Sequence, residues 1–196
     1  MKKVFKFLLL ILGLSFHKPL FPQDLTLTVG DKAPDLNFRK MGQMNGEKNV
    51  TWEDYQNQVV IIDFWATWCP PCIESIPHLN QLTEAFKDKP VTFLSITYEP
   101  EEMLTAFLKK HPLKTIVGSD NDFAMFKSYK AWGIPMVVIV NREGFIASIV
   151  HPTKLTTEVI ETVLEGKIPD VTQAKGWPDP EGAEDYFRSL IKKEEK

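Results

Sequence analysis

The sequence predicts an α/β domain: a central mixed β-sheet flanked by helices, with an N-terminal β-hairpin and an inserted helix–strand segment. Three observations carry that reading. Val59-Val60-Ile61-Ile62-Asp63-Phe64-Trp65 is a nearly continuous β-branched run, the pattern of a strand covered on both faces, and residues 91–97 read as another buried strand. Between them, Ile76, Leu79, Leu82 and Phe86 recur at helical spacing. Residues 136–140 and 145–150 flank Asn141-Arg142-Glu143-Gly144, a hairpin connection in which Gly144 can take a positive φ. Strands alternating with helices and then closed by a hairpin give a layered sheet of mixed direction.

Each element follows in order. Residues 24–35 read as an extended lead-in. Residues 36–39 and 49–52 are expected to pair as a hairpin around a turn at 42–48. The first buried strand, 59–65, leads to an amphipathic helix over 73–87, in which Pro77 is expected to produce a kink. After the second buried strand, the acids from Glu99 to Glu102 read as a solvated helix start. Met103, Leu104, Phe107 and Leu108 form the face of that short helix. Residues 115–117 read as a strand, and Phe123, Ala124, Phe126 and Tyr129 as a helix face. After the closing hairpin, Val159, Ile160, Val163 and Leu164 line a helix that Gly166 is expected to end. From 167 to 182 the chain turns rich in Pro and Gly. Residues 181–196 are expected to form a terminal helix whose apolar side, Tyr186, Phe187, Leu190 and Ile191, docks on its own domain.

Composition narrows the function classes. With 43% apolar and 25% charged residues, the chain is neither largely disordered nor fibrous. At 196 residues it can bury a core without covalent staples. Two cysteines exclude a disulfide-dense scaffold. The formal net charge of −3 gives a nucleic-acid partner no electrostatic support.

The N-terminus indicates export. Lys2, Lys3 and Lys6 precede an apolar stretch from Phe7 to Phe16, the order of a secretory signal. The stretch is too short for a membrane span, which needs about 20 residues. Residues 1–23 are therefore expected to be a signal peptide; left uncleaved, it would anchor the chain. A buried N-terminal helix is the plainer alternative. Cleavage removes four lysines and no acid, taking the net charge from −3 to −7. The domain is then 28–166, the extension 167–196, and the compartment periplasmic or otherwise extracytoplasmic, where disulfides persist.

The chemistry is concentrated in Trp65-Ala66-Thr67-Trp68-Cys69-Pro70-Pro71-Cys72, which holds both cysteines. At the start of a helix, residues three apart lie on one side with Cβ atoms about 5–6 Å apart. A small adjustment reaches the roughly 3.5–4.5 Å of a disulfide. A thiol at a helix N-terminus meets the positive end of the backbone dipoles, which favours the attacking thiolate. Cys69 is expected to be exposed on the strand-to-helix turn, with Cys72 more shielded. Pro70 and Pro71 stiffen the turn and withhold amide donors from a thiolate. Half a zinc site is the other reading of C-x-x-C, but the second half is missing. A structural disulfide closing so small a loop would stabilise little.

I-I-D-F-W-A-T-W-C-P-P-C, followed by W-G-I-P-M-V-V-I-V, resembles the thioredoxin superfamily. The V-G-D-K-A-P-D-L lead-in and the N-terminal signal narrow the resemblance to extracytoplasmic reductases of the TlpA/ResA type. It spans residues 28–166 and implies a thioredoxin-like fold. It also implies that Cys69 attacks a substrate disulfide and Cys72 resolves the mixed disulfide. Pro135 resembles the family's cis-proline, which leaves the backbone of Ile134 to pair with an extended substrate; a proline that merely starts a strand is the alternative. Trp68, Pro70, Pro71 and Ile134 are the expected substrate contacts, and Trp65 is expected in the core. Asp63 lies in an apolar strand, where desolvation raises a carboxylate pKa, and it is assigned proton transfer with Cys72. Many TlpA/ResA-like proteins carry Asn there and a Glu three residues after the second cysteine, a position held here by Ser75 with Glu74 beside it. His78 reads as a surface residue.

The resemblance implies a protein-disulfide reductase with no cofactor and no metal. Its partners would be disulfide-bearing proteins, apocytochrome c or damaged thiols among them, and a membrane thiol donor of electrons. A copper chaperone of similar fold is the alternative in another class. That family's pattern is C-x₃-C with a specific His, and this chain has C-x-x-C.

Overall fold

The computed structural model describes residues 27–41, 50–171 and 173. The signal at 1–23, the turn at 42–48 and the terminal helix at 181–196 lie outside them.

Six strands form one sheet: β1 (Arg39–Lys40), β2 (Val59–Phe64), β3 (Val91–Thr97), β4 (Ile116–Ser119), β5 (Met136–Val140) and β6 (Ile146–Val150). Their spatial order is β1-β4-β3-β2-β5-β6. β2 and β3 pair in parallel from Val59↔Val91 to Phe64↔Ile96, and β4 continues the parallel set. β1, β5 and β6 run antiparallel to their neighbours. The mixed sheet and flanking helices bear out the predicted fold class.

The run at 59–64 is central because it is apolar on both faces. Alternation sends Val60, Ile62 and Phe64 to one cluster and Val59 and Ile61 to the other. α1 (Pro70–Ala85) and α4 (Thr157–Leu164) cover the second face through Leu79, Leu82, Val159, Ile160 and Val163. α2 (Glu101–Lys110) and α3 (Ala124–Ser128) contribute Leu104, Met125 and Phe126 to the first. Gly144 takes φ +83° in the β5–β6 connection, as the hairpin requires.

Several local expectations shift. α1 begins at Pro70, not at residue 73, since prolines at the first helical positions forfeit only amides that would lack partners. It continues through Pro77 to Ala85. The hairpin at 36–39 and 49–52 takes another form among the described residues. β1 pairs with β4, Trp52–Tyr55 is a 3-10 helix, and a backbone bond from Val50 N–H to Phe38 O at 3.2 Å links the two arms. The long-range partner wins because β4 offers β1 a ready-made sheet edge, whereas Trp52 is held by its indole N–H to Pro34 O at 2.9 Å.

The outer flank of β6 is occupied. Gly30 and Asp31 exchange backbone bonds with Ile146 at 2.8 and 2.9 Å. Further along, Ile149 N–H and Ser148 Oγ–H donate to Gln173 Oε1 at 2.7 and 3.1 Å. Among the described residues, no helix is long and apolar enough to cross a membrane.

Candidate active site

Three chain segments converge at one end of the sheet. β2 and β3 are parallel, so the loops after Phe64 and Thr97 emerge together. β5 is antiparallel to β2 with Met136 opposite Phe64, so the segment before Met136 arrives at the same end. The ends of strands next to a change of direction are where open α/β sheets place their sites.

Cys69 is the N-cap of α1, and the structure joins it to Cys72 in a disulfide, with S–S 2.07 Å and Cα–Cα 5.3 Å. Cys69 O accepts from the amides of Cys72 and Ile73 at 3.0 and 3.1 Å, the first amides available after the two prolines. Pro70 and Pro71 are exposed, and Trp68 is half-buried. The expected contrast between the cysteines is absent: Cys69 is 3% exposed and Cys72 2%. Both belong to the apolar cluster that holds Trp65, Ala66 and Met136, so a bonded Cys69 is packed rather than held out on the turn.

The Ile134–Pro135 peptide bond is cis, and both residues are half-buried. Pro135 lies one step beyond the Phe64↔Met136 pair, level with the start of the cysteine loop.

Asp63 lies on the sheet face shared with Val59 and Ile61, beneath α1, the helix that carries Cys72. It is 4% exposed. Ser95 Oγ–H, its register partner in β3, donates to Oδ2 at 3.4 Å, and Thr115 Oγ1–H donates to Ser95 Oγ at 2.8 Å. Among the described residues, Oδ1 has no partner. Burial pushes the Asp63 pKa up to about 7, with the Ser95 bond opposing. Ser75 is buried and turns its hydroxyl back to Cys72 O at 2.7 Å, while Glu74 is exposed on the helix surface.

One expectation is refined and another fails. His78 is half-buried, and its ring Nε2 donates to Leu155 O at 2.7 Å, tying α1 to the start of α4. Glu99 is not part of a solvated helix start: it is fully buried. Its Oε2 accepts from Thr67 N–H at 2.7 Å and from Thr97 Oγ1–H at 2.9 Å, and its Oε1 from Thr67 Oγ1–H at 2.6 Å. These three bonds offset much of the cost of burying the carboxyl group, an offset that Asp63 lacks. The available sequence signal is its place directly after an apolar strand, not its membership of an acidic run.

An aromatic stack continues from there. Trp68 Nε1–H donates to Tyr98 Oη at 2.6 Å. The Tyr98 ring stacks on Phe123 at 4.9 Å, and Phe123 on Trp132 at 6.3 Å. Phe123 adopts φ +60°, ψ 19°, a left-handed conformation costing a non-glycine residue about 1–2 kcal/mol; packing of its ring on both sides holds it there.

Residues 29–149 match the AhpC/TSA family. The chain belongs to the AhpC/TSA family. Thiol-disulfide oxidoreductase ResA of Geobacillus kaustophilus is 26% identical over 159 residues, covering 81% of this chain and 88% of the relative. ResA of Oceanobacillus iheyensis is 28% identical, covering 72% and 73%. Among solved structures, a candidate thiol:disulfide interchange protein DsbE from Chlorobium tepidum superposes with a TM-score of 0.61 at 26% identity, covering 73% of this chain and 99% of that one. This AhpC/TSA family member is thioredoxin-like in fold, ResA-like in sequence, and a thiol–disulfide oxidoreductase. Among its described residues, no group of three or more His, Cys, Asp or Glu is placed to hold a metal ion.

Proposed function

We propose that the protein reduces disulfides of other proteins outside the cytosol, through the dithiol form of Cys69 and Cys72. The observation that carries this reading is the disulfide across the first turn of α1, with an acid of raised pKa buried under the same helix. In the reduced enzyme the Cys69 thiolate, favoured at the helix start, attacks one sulfur of a substrate disulfide. The other substrate sulfur leaves and takes up a proton. Cys72 then gives its proton to the Asp63 carboxylate, directly or through water, and attacks the Cys69 sulfur. The second substrate thiol departs, and Asp63 returns the proton to it. Two electrons pass from the cysteine pair to the substrate, and an external thiol donor at the membrane restores them.

A group titrating near 7 exchanges a proton efficiently at neutral pH, which supports Asp63 in that role. Trp68, Pro70 and Pro71 offer the surface beside the pair, and the Ile134 backbone pairs with an extended substrate segment next to Pro135. The basic and apolar N-terminus supports export, with or without anchoring. Apocytochrome c bearing an oxidised C-x-x-C-H segment, or exported proteins with damaged thiols, provide the substrate class.

Insulin reduction with dithiothreitol as the electron source tests the reading. The wild type accelerates precipitation of the B chain, and Cys69→Ser does not. Equal rates for the two proteins refute the assignment.

A further inference from the structure

We propose that Tyr98 and Glu99 are positioning residues for the redox loop, fixing the Thr67–Trp68 segment so that Cys69 meets a protein disulfide in line. This rests on Cys69 being the attacking sulfur. Glu99 seizes Thr67 at both its amide and its hydroxyl, two residues before Cys69. Tyr98 holds the next residue, Trp68, through the indole N–H. The clamp is itself anchored: Ser119 Oγ–H donates to Glu99 O at 2.6 Å, and Asp120 N–H to Thr97 O at 2.7 Å. Both anchors come from the end of β4, so the clamp is tied to the sheet.

The same clamp reaches the opposite wall. Tyr98 packs on Phe123 and edge-on to Phe126 at 5.2 Å. Phe123 in turn packs on Trp132, two residues before Ile134. One short segment after β3 therefore sets the distance between the two loops that flank the disulfide. Neither side chain needs to touch a reacting atom: Glu99 is wholly buried, and Tyr98 is 1% exposed. Attack on a disulfide requires three sulfurs in line, and a displacement of about 1 Å can cost a hundredfold in rate. A small alkylating reagent approaches a thiolate from any side and makes no such demand.

The test compares those two reactions in the reduced full-length protein. Glu99→Ala should lower kcat/KM for insulin by about 10-fold or more, with the rate of Cys69 alkylation by iodoacetamide within about twofold of wild type. Glu99→Gln should restore most of the loss, because its carbonyl can accept from Thr67 N–H while its amide donates to Thr67 Oγ1. Thr67→Ala and Tyr98→Phe each remove one side-chain bond at a partly exposed or ring-preserving site, and each should lower kcat/KM about threefold with alkylation unchanged. These two variants carry the test if Glu99→Ala does not fold. The proposal is overturned if kcat/KM is unaffected, or if alkylation and insulin reduction fall by the same factor. A wild type that alkylates at Cys69 yet reduces no protein disulfide would instead sink the assignment of the function itself.

Discussion

Replacing Asp63 by Asn should stabilise the oxidised protein in alkaline solution and leave it nearly unchanged in acid. Burial raises the Asp63 pKa from 3.8 to about 7. At 1.36 kcal/mol per unit of pKa, that displacement is worth about 4 kcal/mol. The sign follows from proton counting. Below about pH 4 the folded and unfolded chains both hold the proton, and the carboxyl costs nothing extra. Between about 4 and 7 the unfolded chain loses the proton while the folded one keeps it, so stability falls as pH rises. Above 7 the full cost is present. Asn has nearly the shape of the protonated acid and can still accept from Ser95, without the charge. Asp120, also pushed up to about 7 by burial, adds a similar slope to both proteins and cancels in their difference. Urea unfolding followed by tryptophan fluorescence, at about pH 4 and about pH 8.5, reads the effect. With a slope near 2 kcal/mol per molar urea, the midpoint of the Asp63→Asn variant should exceed wild type by about 2 M at the alkaline pH and by little at the acid one. A difference between the two proteins that stays constant over that range would refute a buried, charge-bearing Asp63.

Other outcomes can be checked in parallel. Cys72→Ser should accumulate a mixed disulfide with its substrate at Cys69, seen as a mass adduct that dithiothreitol removes; an unmodified protein after incubation would contradict the division of labour. Gly118→Ala should destabilise by about 1–3 kcal/mol in urea, because the added methyl would overlap the Phe38 ring and meet Ile96 Cδ1 at 2.9 Å. His78→Ala should lose about 1 kcal/mol of stability, one hydrogen bond to Leu155 O, while insulin reduction remains at wild-type rate.

The sheet is legible in the sequence because β2, β3, β5 and β6 are apolar on both faces, a local property that survives without knowledge of partners. Both cysteines and their helix are legible for the same reason: a three-residue spacing is local chemistry. What escapes is settled at long range. β1 takes its partner from β4, some eighty residues on, which no local pattern announces. Glu99 misleads because its neighbours Glu101 and Glu102 do form an acidic first turn. Its burial depends on Thr67, thirty-two residues earlier, closing over it. The partner of His78 is hidden for the same reason, its carbonyl lying in the distant stretch before α4. Cys69 is packed because the bonded sulfurs join an apolar cluster assembled from several strands.

With Asp31 and Gln173 already seated along β6, a passing polypeptide finds the backbone of Ile146 and the amide of Ile149 taken on that flank. An open strand edge invites other extended chains, or copies of the same one, to add themselves to the sheet. Filling those positions lowers that risk on the β6 side while leaving the sulfur-bearing end of the sheet untouched.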